Sequence, residues 1–182
     1  NESGNTITIG ASGDTTNIIG TLQNNGAAVG GTNTPAFQAY RTATQNIGNN
    51  TLTKVQFTSE NFDTDNLYDN STNYRFTPNT SGKYMVYSVI QIGATAIDRN
   101  GISEIALREN GTTIAVSKMD SRQASSLGGY RFTCSINFII EPNGSSDYYE
   151  IFASCFDNSG ADAEVVHDSN GSIVFGAYKL IE

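Results

Sequence analysis

The residues best suited to chemistry are Asp63-Thr64-Asp65-Asn66 and Asp69, several hard oxygen donors within one short stretch. Calcium takes such oxygens at six to eight per ion, so Asp63, Asp65 and Asp69 are the candidate calcium ligands. Asp157, Asn158, Asp162 and Asp168 form a second acidic group further along. Neither group has the EF-hand spacing, which needs Glu at position 12. The competing reading is that both are solvated turn carboxylates, with Asp63 bonding the backbone amides of its own loop. Calcium is therefore the one cofactor to consider, and none is required.

Catalysis finds less support. His167 is the only histidine, next to Asp168. Adjacent strand residues point to opposite faces, so these two make a poor acid/base pair. The sequence has no G-x-S-x-G elbow, H-E-x-x-H, Walker loop or G-x-G-x-x-G. A carboxylate pair could be assembled from many Asp and Glu residues, but no local constellation marks one. Two cysteines and one histidine make no zinc cage. The chain reads as a non-enzyme.

Cys134 and Cys155 lie on two apolar alternations, 130–140 and 148–156, that flank Pro142-Asn143-Gly144. If these strands form a hairpin with Glu141 facing Tyr148, Cys134 faces Cys155. Opposed Cα atoms sit about 4.5–5.5 Å apart, which permits a disulfide. Two buried, reduced thiols are the other reading. Both place the cysteines on the core side.

The elements that must position these residues are strands. Alternation or short apolar runs mark 36–41, 53–57, 74–76, 83–92, 102–108, 113–116, 130–140, 148–156 and 172–181. Asn110-Gly111 is a tight-hairpin signal. The segment 83–92 is apolar on both parities, which predicts cover on both faces. Hydrophobic content is 37% and charged content 15%, both below globular averages. Asn, Thr, Ser and Gly make up the difference, a mix suited to short strands and turns. Downstream of residue 34, six Asn-x-Ser/Thr sequons, at Asn49, Asn70, Asn79, Asn110, Asn143 and Asn170, read as turns in so Asn-rich a chain.

The net charge of −8 repels phosphate and argues against nucleic-acid binding. No apolar run of about 18 residues is present, so no membrane insertion is expected. A chain opening at Asn1 reads as a fragment or processed form.

Phe57, Asp63, Tyr68, Phe76, Gly82 and Tyr84 are spaced by five, four, seven, five and one residues. The order resembles the signature of the C1q/TNF-like domain, whose third gap is six. The family continues with aromatics where this chain has Val86 and Ser88. Phe175, Gly176 and Tyr178 resemble its last strand, in a different order. The resemblance covers about residues 35–182. It implies an all-β, ten-strand jelly-roll sandwich with adjacent termini, assembled as a homotrimer. Phe57, Tyr68, Phe76, Gly82, Tyr84, Phe175 and Tyr178 are then structural anchors. Some such heads hold calcium at the trimer apex.

Residues 1–34 lack aromatics, Lys and Arg. Their apolar pieces are too short to bury themselves, and they resemble the β-repeats of phage tail-fibre stalks; a flexible linker is the alternative. The expected organisation is a stalk over 1–34 and a C1q-like head over 35–182.

That organisation implies a phage tail or head fibre protein on the virion exterior. Its head would bind a host cell-surface glycan or protein in three copies. Candidate loops are 63–73, 95–101, 121–128 and 157–170, with Tyr68, Arg99 and Arg122 as contacts because large planar groups bind well. The alternatives are a capsid decoration protein contacting other virion proteins, or a secreted bacterial C1q-like protein at the cell surface.

Overall fold

A computed structural model describes residues 12–13, 15–17, 19–20, 22–24, 27–28, 33–94, 100–120, 131–157, 160–167 and 173–180. The chain divides into two compact units, Asn1–Thr32 and Asn33–Glu182.

In the first unit, β1 (Gln23–Asn24) pairs antiparallel with β2 (Ala27–Ala28). Ile19 and Leu22 are 96% and 49% exposed, so their apolar surface stays in water within the chain.

The second unit is a sandwich of two antiparallel sheets, and no helix occurs among the described residues. One sheet has seven strands: β3 (Ala36–Tyr40), β4 (Gln45–Ile47), β6 (Ser59–Asp63), β9 (Tyr84–Ala94), β12 (Arg131–Ile140), β14 (Ala163–Val165) and β15 (Val174–Lys179). The other has six: β5 (Thr53–Lys54), β7 (Tyr68–Asp69), β8 (Arg75–Phe76), β10 (Asn100–Glu109), β11 (Thr112–Asp120) and β13 (Tyr149–Asp157). These are thirteen strands where ten are expected, because pairings of two or three residues, such as β5, β7 and β8, stand as separate strands.

β15 lies between β9 and β3. Ala36 faces Tyr178, and the Lys179 N–H donates to the Pro35 carbonyl at 3.0 Å. The two ends of the sandwich domain therefore run side by side.

Alternation places one parity of each long strand between the sheets. Tyr84, Val86, Ile90 and Ile92 of β9 are fully buried, as are Ile151, Ala153 and Cys155 of β13. Phe57, Phe76 and Phe175 are fully buried and Tyr68 is 6% exposed. Phe37 organises them: it stacks on Tyr68 at 4.9 Å and on Phe76 at 4.6 Å, and meets Phe175 edge-on at 5.0 Å. Such ring pairs add to simple area burial. Gly82 has φ +120 and precedes β9. Tyr178 is half-buried on the opposite face of its sheet.

The gap of seven between Tyr68 and Phe76 leaves their pairing intact, since the two remain directly opposite. The loop between β7 and β8 takes up the length, with Tyr74 at φ +50. Asn110 and Gly111, at φ +50 and +81, join β10 to β11, the two left-handed residues a type I′ hairpin requires.

The expected hairpin between the two cysteine strands does not form. β12 pairs with β9, setting Cys134 opposite Ile90, whereas β13 pairs with β10, setting Cys155 opposite Ser103. The 141–148 connection crosses from one sheet to the other. Asn143 Oδ1 accepts from the Ser145 and Ser146 N–H groups at 2.8 and 3.0 Å, which satisfies the loop without a ladder.

Candidate recognition surface

The 63–73 loop is built by its own acids. Asp63 accepts from the Tyr68 N–H at 2.8 Å and the Asp65 N–H at 3.3 Å. Asp65 accepts from the Thr64 hydroxyl at 2.8 Å, and that hydroxyl accepts from the Ala36 N–H at 3.0 Å, tying the loop to β3. Asp69 accepts the N–H groups of Ser71, Thr72 and Asn73 at 3.0, 2.9 and 3.0 Å. The Ser71 hydroxyl and the Asn73 amide complete its shell. These donors, Thr72 first, hold the Asp69 carboxyl well below the usual carboxylate range.

Among the described residues no three metal-ligating side chains converge. Asp63, Asp65 and Asp69 form no such group and instead accept hydrogen bonds within the loop. Tyr68 is likewise corrected as a ligand contact. Its ring is in the core, and its hydroxyl donates to the Phe57 carbonyl at 3.3 Å. Arg99, Arg122 and Asp168 lie outside the described residues. The His167 N–H donates to the Thr44 hydroxyl at 3.2 Å.

Arg41 is a buried cation that the sequence did not flag. Nε donates to the Ala43 carbonyl at 2.9 Å, and Nη1 donates to Gln45 Oε1 at 2.9 Å and to the Gln56 carbonyl. Burial lowers its pKa. Its role is to pin the end of β3 to the strands beyond it; no motif marks a residue whose partners are carbonyls.

Cys134 and Cys155 are buried thiols, not a disulfide. Both approach Ser103: Cys134 Sγ lies 3.7 Å from its carbonyl and Cys155 Sγ 3.9 Å from its hydroxyl. Burial pushes the Cys134 thiol up, the opposite of an activated nucleophile.

Three surfaces remain. The outer face of the seven-stranded sheet carries half-buried Met85, Tyr87, Val89, Val174 and Tyr178. Tyr87 lies over Gly176, where an added Cβ would come within 2.4 Å of the ring. Gln38 Nε2 donates to the Tyr87 hydroxyl at 2.9 Å and accepts at Oε1 from Asn61 at 2.6 Å. The second surface is the open margin between β11 and β12. A cleft of about 450 Å³ lies there, lined by residues 114–117 and 135–138, and Val116 and Phe138 on it are 45% and 38% exposed. The third is the outer face of the six-stranded sheet, with Arg75 over the Tyr148 ring at 4.5 Å and Arg108 over the Phe152 ring at 4.2 Å.

Among solved structures, Eiger TNF from S. frugiperda superposes at TM-score 0.57 with 10% identity, covering 81% of this chain and 92% of its own. The globular domain of the zebrafish complement 1qA protein superposes at 0.53 with 16% identity, over 81% and 98%. Murine APRIL superposes at 0.56 with 11% identity, over 80% and 98%. The fold is C1q/TNF-like. No protein-family model matches the sequence, and no curated protein matches it. At these identities the likeness lies in the backbone and core of the C1q/TNF-like domain. The signature anchors Phe57, Phe76 and Tyr84 are in that core.

Proposed function

We propose that the chain is a fibre or surface protein of a phage particle whose C1q/TNF-like head works as a homotrimer in host recognition. The observation that carries this reading is apolar surface outside the core. A sandwich alone in water keeps its outer faces polar, yet Met85, Tyr87, Val89, Val174 and Tyr178 form one such face. Ile139, directly opposite Met85, extends that face, and Phe138 stands exposed at the adjoining margin. Face and margin are different patches, so burying one against the other is a heterologous contact, which a threefold rotation closes into a ring. Three copies then present three sites at once, and weak single contacts act together. The short β segments of the first unit fit a stalk completed by neighbouring chains.

Size-exclusion chromatography with light scattering tests the assembly. The expected mass is three times the chain's 19.5 kDa, reduced to that of one chain by Ile139→Asp with Tyr87→Glu. A wild-type chain that stays monomeric at high concentration refutes the reading. Adhesion to a panel of bacterial cells tests recognition. Tight association with particles and no adhesion would assign the chain to capsid decoration.

A further inference from the structure

The row of residues that β13 and its preceding Tyr148 turn away from the core is Tyr148, Glu150 and Phe152. Cations lie along all three. Arg75 covers Tyr148, Arg108 covers Phe152, and Lys54 Nζ sits 2.5 Å from Glu150 between them. In a chain with 18 acids against 10 Lys and Arg, such a row is against the average.

The carboxylates opposite the two arginines in the ladders are engaged elsewhere. Glu150 stands directly opposite Arg108 in the ladder but is paired with Lys54. Asp69 stands opposite Arg75 but is spent on its own loop. Among the described residues neither arginine has a carboxylate within ion-pair distance. Arg108 uses only Nε, on the Thr113 hydroxyl at 3.3 Å.

A guanidinium lying flat on a ring is held in place without using its N–H groups, and its edge remains a fork that matches a carboxylate. The two rings are four residues apart, about 13 Å along an extended strand. We infer that this face binds an acidic glycan, a chain of carboxylate-bearing sugars lying along β13 with its charges on Arg75 and Arg108. A peptide is disfavoured because β13 is an interior strand, flanked by β10 on one side and by β5 and β8 on the other. It offers no open edge for strand addition. The inference rests on the recognition reading above and names its ligand class.

The test is biosensor binding of the full chain to oligogalacturonate, with neutral dextran and poly-glutamate as comparators. Oligogalacturonate should bind, weaken with added salt, and exceed both comparators. Arg75→Gln and Arg108→Gln should each weaken it about tenfold, the loss of one charge-assisted fork. Arg108→Lys should also weaken it, since it keeps charge but not the fork. Unchanged melting curves would exclude misfolding. Equal binding by wild type and the double Gln variant overturns the inference, as does equal affinity for dextran. Poly-glutamate binding as tight as oligogalacturonate overturns the glycan class in favour of an acidic protein surface. Cell adhesion is measured in parallel. If the double variant adheres as wild type does, this face falls and the recognition reading stands. If wild type adheres to nothing, the recognition reading itself falls.

Discussion

Asp69 shows how one side chain can make a loop. Its carboxylate gathers three backbone N–H groups, one hydroxyl and one amide within residues 69–73. Each donor stabilises the ionised form, which is why the folded-state pKa is depressed. A depressed pKa contributes stability that is present above the unfolded value of about 3.9 and is lost as pH falls through the folded value. Asp69 is half-buried at the surface, so solvent screens part of the charge term. Asp69→Ala should cost about 1–2 kcal/mol at pH 7, or about 2–8 °C in melting temperature for a domain this size. Parallel thermal melts at pH 7 and pH 3 check it: the gap should narrow at pH 3. A gap of equal size at both would mean that only packing was lost. The same hydrogen bonds direct the Asp69 carboxylate into its own turn.

At the scale of elements, much of the sandwich could be read from residue order. Aromatic anchors and period-two alternation locate the strands and their inward faces, because both depend on neighbours a few residues away. The Asn110-Gly111 hairpin was legible for the same reason. It is reinforced by a bond from Asn110 Nδ2 to Asp147 at 2.9 Å and one from the Tyr148 N–H to Asn110 Oδ1 at 3.0 Å. Asn110→Ala removes both and puts a β-carbon residue without a polar side chain at φ +50. It should cost about 1–3 kcal/mol, seen as a lower denaturant midpoint with an unchanged m-value. What was not legible is which strand pairs with which. Cys134 and Cys155 face inward under either pairing, since parity alone sets that. The choice of β9 over β13 as the partner of β12 is made by contacts some fifty residues apart, and no local pattern encodes it. Arg41 was hidden similarly, as one of its acceptors is the carbonyl of Gln56.

For the whole molecule, the candidate surfaces divide the work. The apolar face and open margin suit contact with other copies, and the arginine-bearing face is left for a ligand. The acidic loop belongs to neither, because its carboxylates serve the fold. Calcium or EDTA should therefore leave the melting temperature unchanged. A rise with millimolar calcium in differential scanning calorimetry would show a site that the 63–73 loop does not explain.

The position of β15 has a consequence in time. β15 lies between β3 and β9, two strands made much earlier. Until residues 174–179 emerge from the ribosome, the edges of β3 and β9 that await it have no partner. Residues 174–179 must be made before the seven-stranded sheet can close. In that interval the nascent chain exposes the strand edges and apolar faces on which misassembly begins. A chain stopped at residue 172 would lack the strand that joins β3 to β9.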